Sequence, residues 1–359
     1  MKKILLTGGG SAGHVTPNLA LIPALREAGF EVEYIGGKSG IEKSLAENAG
    51  VPYHAISTGK LRRDKLVSMK NFKDAWAAVA GIGDAIRIIR RIKPDIIFSK
   101  GGFVGLPVAA AGWLCRVGII LHESDMTSGL ANRLSMGFAR VICASFPETM
   151  ASLPPKKAVL TGNPIRRELL EGDPVKGRKI CGFNGEKPLL LVTGGSLGSE
   201  KLNSILWAAL PLLLPYYDIV HLCGRNKKDS TLDQTPGYAA FEYLNEDLAH
   251  VMAAADFIVS RAGASAINEF LALRKPSLLI PLENRATRGD QVKNADSFVS
   301  RGFSLRLEEP RLTPETLAEN LEILREKSHT FVANMEKSPL INAVDEVVRV
   351  ICSCVDQHK

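Results

Sequence analysis

Five short segments of this 359-residue chain gather the groups that can do chemistry. They read TGGGSAGH from Thr7, SKGGFVG from Ser99, HESDMTSG from His122, GGSLGS from Gly194 and SRAGASAINE from Ser260. Each follows an apolar run. Glycines at such a junction let the backbone approach a ligand closely and turn free N–H groups outward. A helix that starts there adds partial positive charge. Phosphate is the usual ligand of such a turn. A tight turn without a ligand is the alternative for either glycine loop taken alone, but two loops of one form argue for a site.

The elements that must position these groups follow from the pattern. KILLTG reads as a strand, Thr16 to Gly29 as a helix, EVEYIGG as a strand, GIEKSLAENAG as a helix and YHAIS as a strand. A long helix is expected from Asn71 to Ile92. PDIIFS, GIILHES and RVICAS are further strands, with helices over GLPVAAAGWLCR and Ser128 to Ala139. The pattern restarts at PLLLVTGGS. Strand, helix, strand at this spacing means parallel right-handed crossovers. The fold class is α/β, with two Rossmann-like, doubly wound parallel-sheet domains facing a deep cleft. The boundary falls in LTGNPIRRELLEGDPVKGRKICGFNGEK, near Gly162 to Pro164, which gives domains over 1–163 and 164–340. Ligands of such sheets bind at the carboxyl ends of the strands, where all five segments fall.

Composition narrows the classes. The apolar run after the first lysines is too short for a signal peptide, and no uncharged stretch is long enough for a spanning helix. The six cysteines form no C-x-x-C pair and have no histidines at zinc spacing, so free thiols and no metal are expected. The net charge of +7 is uneven: residues 1–163 hold 21 basic and 12 acidic side chains, and residues 60–100 hold 11 and 4. A basic surface of this kind fits an anionic partner or a solvated face. No nucleic-acid reader module appears, so nucleic acid is not expected. Gly8 to Gly13 spell G-x-G-x-x-G, which keeps a dinucleotide site in view. That fold needs an acidic residue at the end of its second strand. Here the strand ends YIGG, with Glu33 in its middle.

The clusters, together with GNPIR at Gly162 and RGDQ at Arg288, resemble the bacterial MurG family of N-acetylglucosaminyltransferases over essentially the whole chain. The resemblance implies the GT-B fold, a donor-binding second domain, and a closing helix over 341–359 that packs back toward the first. It implies a UDP-GlcNAc donor and a lipid-linked muramyl-pentapeptide acceptor, with inversion at the sugar as its 4-hydroxyl attacks. Residues carried over for UDP-GlcNAc are Ser11, Ala12, Gly13, Arg166, Ser196, Leu244, Ala264, Ser265, Ala266, Glu269 and Gln291. Arg166 and Ser196 would meet the diphosphate, with Ala264 to Ala266 beneath it. Leu244 would meet the uracil, Glu269 the ribose and Gln291 the sugar. Glu269 could instead cap its helix, and Arg166 could be a surface ion-pair residue. Family members often read Thr-Gly-Gly at 11–13 and HEQN at 122–125. Asp125 therefore stands where an asparagine is usual, and a carboxylate accepts hydrogen bonds without donating them.

For the attacking hydroxyl the candidate general bases are His14, Glu123 and Asp125. A helix N-terminus disfavours imidazolium, which would keep His14 able to accept a proton. His122 reads as structural. No metal or cofactor is implied, since fixed dipoles and Arg166 can stabilise the leaving UDP. The acceptor's lipid tail implies peripheral residence at the cytoplasmic face of the membrane, with other cell-wall synthesis proteins as partners. Lys60, Arg62, Arg63, Lys65, Lys70 and Lys73, beside Leu66, Met69, Phe72 and Trp76, suit an anionic lipid surface, and Trp113 could join them. Related readings on the same fold are a UDP-sugar transferase acting on diacylglycerol, a UDP-GlcNAc 2-epimerase and a non-catalytic UDP-sugar-binding protein.

Overall fold

A computed structural model of the chain describes residues 1–10, 12–59, 69–195, 197–283 and 289–357. The side chains of Ala12 and of 69–75 lie outside that description. The chain divides into two compact units, Met1–Arg166 with Asn342–Lys359, and Arg167–Ile341.

Unit 1 has seven strands: β1 (Lys2–Thr7), β2 (Phe30–Gly37), β3 (Tyr53–Ile56), β4 (Ile96–Ser99), β5 (Gly118–Glu123), β6 (Val141–Ala144) and β7 (Ala158–Leu160). They form one parallel sheet in the order β3-β2-β1-β4-β5-β6-β7. Helices α1 (Ala12–Glu27), α2 (Ile41–Asn48), α3 (Met69–Ile92), α4 (Gly102–Leu114) and α5 (Leu130–Ser135) lie between them. Successive side chains of a strand point to opposite faces, and here both faces are covered. Ile4 and Leu6 pack with Val15, Leu21 and Phe98 in one core cluster. Leu5, between them, packs with Ile35, Ile97 and Val104 in the other. This is why the strands read as unbroken apolar runs. The strand order reverses between β1 and β4, so the crevice for a ligand opens beyond Thr7 and Ser99.

Unit 2 repeats the plan with β8 (Leu189–Thr193), β9 (Asp218–Leu222), β10 (Tyr238–Phe241), β11 (Phe257–Ser260), β12 (Ser277–Leu279) and β13 (Ser304–Arg306). Its parallel order is β10-β9-β8-β11-β12-β13. Its helices are α6 (Arg167–Leu170), α7 (Pro174–Ile180), α8 (Glu200–Leu213), α9 (Leu248–Ala254), α10 (Ala264–Ala272), α11 (Asp290–Ser300), α12 (Pro314–Glu326) and α13 (Ser328–Glu336). The last helix, α14 (Val344–Asp356), belongs to unit 1. Val347, Ile351 and Val355 join the cluster around Ile4 and Leu6, and Lys2 Nζ meets Asp356 at 2.8 Å.

The doubly wound α/β expectation holds for both units. Three details differ from the sequence reading. Helix α1 starts at Ala12, one turn before the expected Thr16, and carries Pro17 inside it. The helix expected over Ser128 to Ala139 is confined to Leu130–Ser135. Strands β7, β10 and β13 have only three or four residues, too few to show a period. The six cysteines are all free thiols. Among the described residues no helix is long and apolar enough to cross a membrane.

Candidate active site

The first glycine turn is held from three sides. Asn18 Nδ2 donates to the Thr7 carbonyl at 3.0 Å, and the Tyr34 hydroxyl donates to the Gly8 carbonyl at 2.6 Å. The third tie is a carboxylate that the sequence reading passed over. Glu42, in the first turn of α2, is buried. One of its oxygens accepts the Gly37 N–H at 3.2 Å, and the other lies 3.5 Å from the Gly10 nitrogen. A Cβ on Gly9 would sit 2.6 Å from Glu42 Oε1. The chain's own carboxylate thus lies directly beside this turn. Glu33 is bound to His54 Nε2 across the sheet. Strand β2 ends in Gly36 and Gly37, without the acidic residue that a dinucleotide site needs there.

The turn after β4 closes on the first. Gly102 has φ +75°, and a Cβ on it would meet the Gly9 carbonyl oxygen at 2.4 Å, so only glycine lets these backbones approach. His14 lies in the first turn of α1 and is half-buried, as is Gly13. Ser11 lies outside the described residues, and for Ala12 only the backbone is described.

Beneath these turns lies a buried polar network. Lys100, directly after β4, is wholly buried. Its Nζ lies 2.7 Å from His122 Nδ1 and donates to Asn163 Oδ1 at 3.0 Å. The Gly162 carbonyl can only accept, so Nε2 carries a proton, and burial disfavours a second one on Nδ1, which is left to accept from Lys100. His122 is therefore neutral with its proton on Nε2, which donates to the Gly162 carbonyl at 2.9 Å. Burial first, and then the neighbouring Lys100, push His122 well below the usual imidazole range. Burial lowers Lys100 to about 7, against the pull of Glu123 and Asp125. Burial also raises Glu123 to about 7.

Glu123 ends β5 and is 4% exposed. Its Oε2 accepts from Asn132 Nδ2 at 2.9 Å and its Oε1 from the Asp125 N–H at 3.3 Å. Both oxygens thus brace the loop that carries Asp125, a geometry suited to positioning more than to taking a proton from a substrate. Asp125 is half-buried, and its carbonyl receives the Thr149 hydroxyl at 3.5 Å. Arg166 follows the Gly162–Asn163 turn as the last residue of this stretch of unit 1. It is half-buried, and its Nε is buried with no hydrogen-bond partner.

In unit 2 the second glycine turn is tight for a similar reason. Gly198 has φ +66°, and a Cβ on it would lie 2.0 Å from the Cys223 carbonyl oxygen. Ser199 caps α8 by accepting the Leu202 N–H at 3.3 Å. Ser196 lies outside the described residues. Arg261, which the sequence reading quoted but did not single out, stands beneath this turn. Its guanidinium donates to Ser199 Oγ at 2.7 Å and to the Ile280 carbonyl at 3.2 Å, and it pairs with Glu309. It joins the ends of β11 and β12 to the cap of α8.

Helix α10 begins at Ala264 behind Gly263, which makes no side-chain cap, and its first turn holds no acid. Ser265 and Ala266 are half-buried in that turn. Glu269 is one turn further on, too far along to be the capping carboxylate that the sequence also allowed. The α10 N-terminus therefore carries the partial positive charge of a helix start. Gln291, second in α11, accepts the Leu282 N–H on Oε1 at 2.9 Å. Leu244 is half-buried in the loop after β10. Among the described residues no group of three or more His, Cys, Asp or Glu is placed to hold a metal ion.

Of the proposed lipid-facing residues, Lys60, Arg62, Arg63, Lys65 and Leu66 lie outside the described residues, as do the side chains of Met69, Lys70, Phe72 and Lys73. Trp76 and Val79 of α3 are exposed. Trp113 is also exposed but its ring lies tilted against Phe138, with ring centres 5.7 Å apart, close to the start of β5. That is the amino end of the sheet, whereas α3 starts from the carboxyl end.

Comparison with known proteins follows this geometry closely. Residues 4–143 match the glycosyltransferase family 28 N-terminal domain, and residues 189–350 match the family's C-terminal domain. The chain is 49% identical to the UDP-N-acetylglucosamine--N-acetylmuramyl-(pentapeptide) pyrophosphoryl-undecaprenol N-acetylglucosamine transferase of Clostridium kluyveri, over 98% of this chain and 99% of that one. Among solved structures it is similar to MurG of Acinetobacter baumannii, with TM-score 0.76, 24% identity and 98% and 100% of the two chains covered. It is also similar to UDP-GlcNAc 2-epimerase of Neisseria meningitidis, with TM-score 0.68, 12% identity and 98% and 100% covered. The fold alone therefore does not choose between transfer and epimerisation.

Proposed function

The chain belongs to glycosyltransferase family 28, and from that premise we propose that it moves N-acetylglucosamine from UDP-N-acetylglucosamine to N-acetylmuramyl-(pentapeptide) pyrophosphoryl-undecaprenol. The observation that carries the reading is the likeness to a transferase of that name along 98% of the chain. The geometry supports a division of labour between the units.

Unit 2 holds the donor. The uncapped start of α10, with Ala264, Ser265 and Ala266, faces the diphosphate with N–H groups and helix charge. Ser196 of the second glycine turn adds to that cradle. Glu269 takes the ribose hydroxyls, Gln291 the sugar and Leu244 the uracil. Unit 1 holds the acceptor and activates it. The 4-hydroxyl of the muramyl ring attacks the anomeric carbon from the face opposite UDP, so an α-linked donor gives a β-1,4 product. His14 takes the hydroxyl proton as the C–O bond to UDP breaks. Arg166 and the helix charge neutralise the oxygen that leaves. Glu123 braces the loop of Asp125, and Asp125 accepts from an acceptor hydroxyl. Ser11, Ala12 and Gly13 present their backbone to the transferred sugar or its leaving phosphate. Peripheral docking on an anionic membrane at its cytoplasmic face belongs to the same proposal. The exposed Trp76 and Val79 on α3 and the basic 60–100 region support it.

Calorimetric titration tests the donor half of this reading. UDP-GlcNAc should bind with a one-to-one stoichiometry, and Glu269→Ala should weaken that binding roughly 10-fold or more, as expected when a charge-assisted hydrogen bond is removed. Equal binding of UDP-GlcNAc by the variant would remove Glu269 from the donor site. Saturable binding of NAD in place of UDP-GlcNAc would overturn the donor assignment as a whole.

A further inference from the structure

We propose that Lys100 is a positioning residue of the transfer reaction: its buried amine clamps His122, beside Glu123 on β5, to the Gly162–Asn163 turn that leads to Arg166. The inference rests on the glycosyl-transfer reading but concerns a residue to which that reading gives no role.

Lys100 sits where four strand ends meet. Its backbone N–H donates to the Thr7 carbonyl at 2.9 Å, which fixes it beside the first glycine turn. A Cβ on Gly8 would come within 3.0 Å of Lys100 Cβ, so the lysine stem runs against that turn. Nζ reaches across β5 to His122 and then to Asn163, beyond β7. Arg166 is three residues further along the chain. One side chain thereby links the turn that leads to His14, the strand end that carries Glu123, and the segment that ends in Arg166.

A lysine is seldom wholly buried, and burying its charge costs free energy unless partners answer it. Two neutral acceptors, His122 Nδ1 and Asn163 Oδ1, receive its protons. Asp125 and Glu123, at and after the end of β5, supply the negative charge around it, and the Cys143 thiol faces it from β6. Burial pushes Cys143 up to about 12, so it stays neutral. Glu123 needs that positive neighbour. Both of its oxygens accept N–H bonds, from Asn132 and from the Asp125 backbone. Protonating it would give one oxygen a hydrogen in place of a lone pair and loosen the loop over 124–132. Burial drives Glu123 toward protonation, and Lys100 opposes it. The sign follows: without the lysine charge Glu123 takes up its proton at a higher pH, and the braced loop is lost sooner as pH falls.

Lys100→Met keeps much of the stem and removes the amine. The titration of the Glu123 carboxyl, followed by carbon-13 resonance in the whole protein, should move up. The acid limb of kcat/KM should move with it. A circular dichroism spectrum and melting temperature like those of the unaltered protein show that the variant is folded. An unmoved Glu123 titration overturns the proposal, and so does an equal loss of rate at every pH, which would make Lys100 a packing residue only. Should the variant not fold, nitrogen-15 spectra of the unaltered protein decide. They should show His122 with its proton on Nε2 from pH 5.5 to 9, and a proton on Nδ1 would contradict the clamp. Neither spectroscopic arm needs turnover, so a wild-type chain without transferase activity would overturn the functional reading and leave this inference tested separately.

Discussion

His14→Ala should lower kcat by about two to four orders of magnitude, the usual contribution of a positioned general base. The affinity for UDP-GlcNAc should change little, because most of the donor-binding groups proposed above, Leu244, Ala264 to Ala266, Glu269 and Gln291 among them, lie in unit 2. The choice of His14 over the carboxylates comes from geometry. Glu123 is 4% exposed, and both of its oxygens are engaged by N–H donors of its own loop. His14 is more open and stands in the first turn of α1, on a backbone fixed by Asn18, Tyr34 and Glu42. A misplaced base loses its effect quickly with distance, so so much apparatus behind one short turn is what a proton acceptor requires. Stopped assays on the variant give the answer. A kcat within threefold of wild type would move the base to Asp125.

Arg166→Ala should lower kcat by about two to three orders of magnitude, comparable to the loss of one donor aimed at developing negative charge. KM for UDP-GlcNAc should rise far less, because charge on the leaving oxygen grows only as the bond breaks. The structure gives Arg166 the setting this role needs. It follows a turn locked by His122 and Lys100, and its Nε is buried without a hydrogen-bond partner. A surface ion-pair arginine would have neither feature. Steady-state kinetics with both substrates varied separates the alternatives: a change confined to KM would mean that Arg166 contributes binding alone.

Much of this was legible in the residues themselves. Apolar runs ending in glycine located the strand ends, and the repeat of TGGS after Leu189 gave the second sheet its start. The parallel sheets follow from strands such as ILLT that bury both faces. What escaped has physical causes. Strands β7, β10 and β13 are too short to display a period, so only their pairing with neighbours defines them. Glu42 reads as an ordinary acid in a helix, because nothing local reveals that the helix turns it under Gly9. Lys100 was hidden by the general rule that lysines are exposed. Its one signal was position, between an apolar strand and a double glycine, where no solvent-facing surface is left. Arg261 lay inside a quoted motif, but its pairing with Glu309, 48 residues away, depends on the assembled sheet. Departures from local rules tend to gather at functional sites, and Lys100 and Glu42 both lie beside one.

Transfer of labelled N-acetylglucosamine from UDP-GlcNAc to a short-chain analogue of muramyl-pentapeptide diphospholipid tests the central claim most directly. The wild-type chain should form one product, with the β configuration read from the coupling of its anomeric proton and the 1,4 position from the proton–carbon correlation across the glycosidic oxygen, and should give none with diacylglycerol. Release of UDP without a labelled lipid, or a labelled product on diacylglycerol alone, would contradict the account.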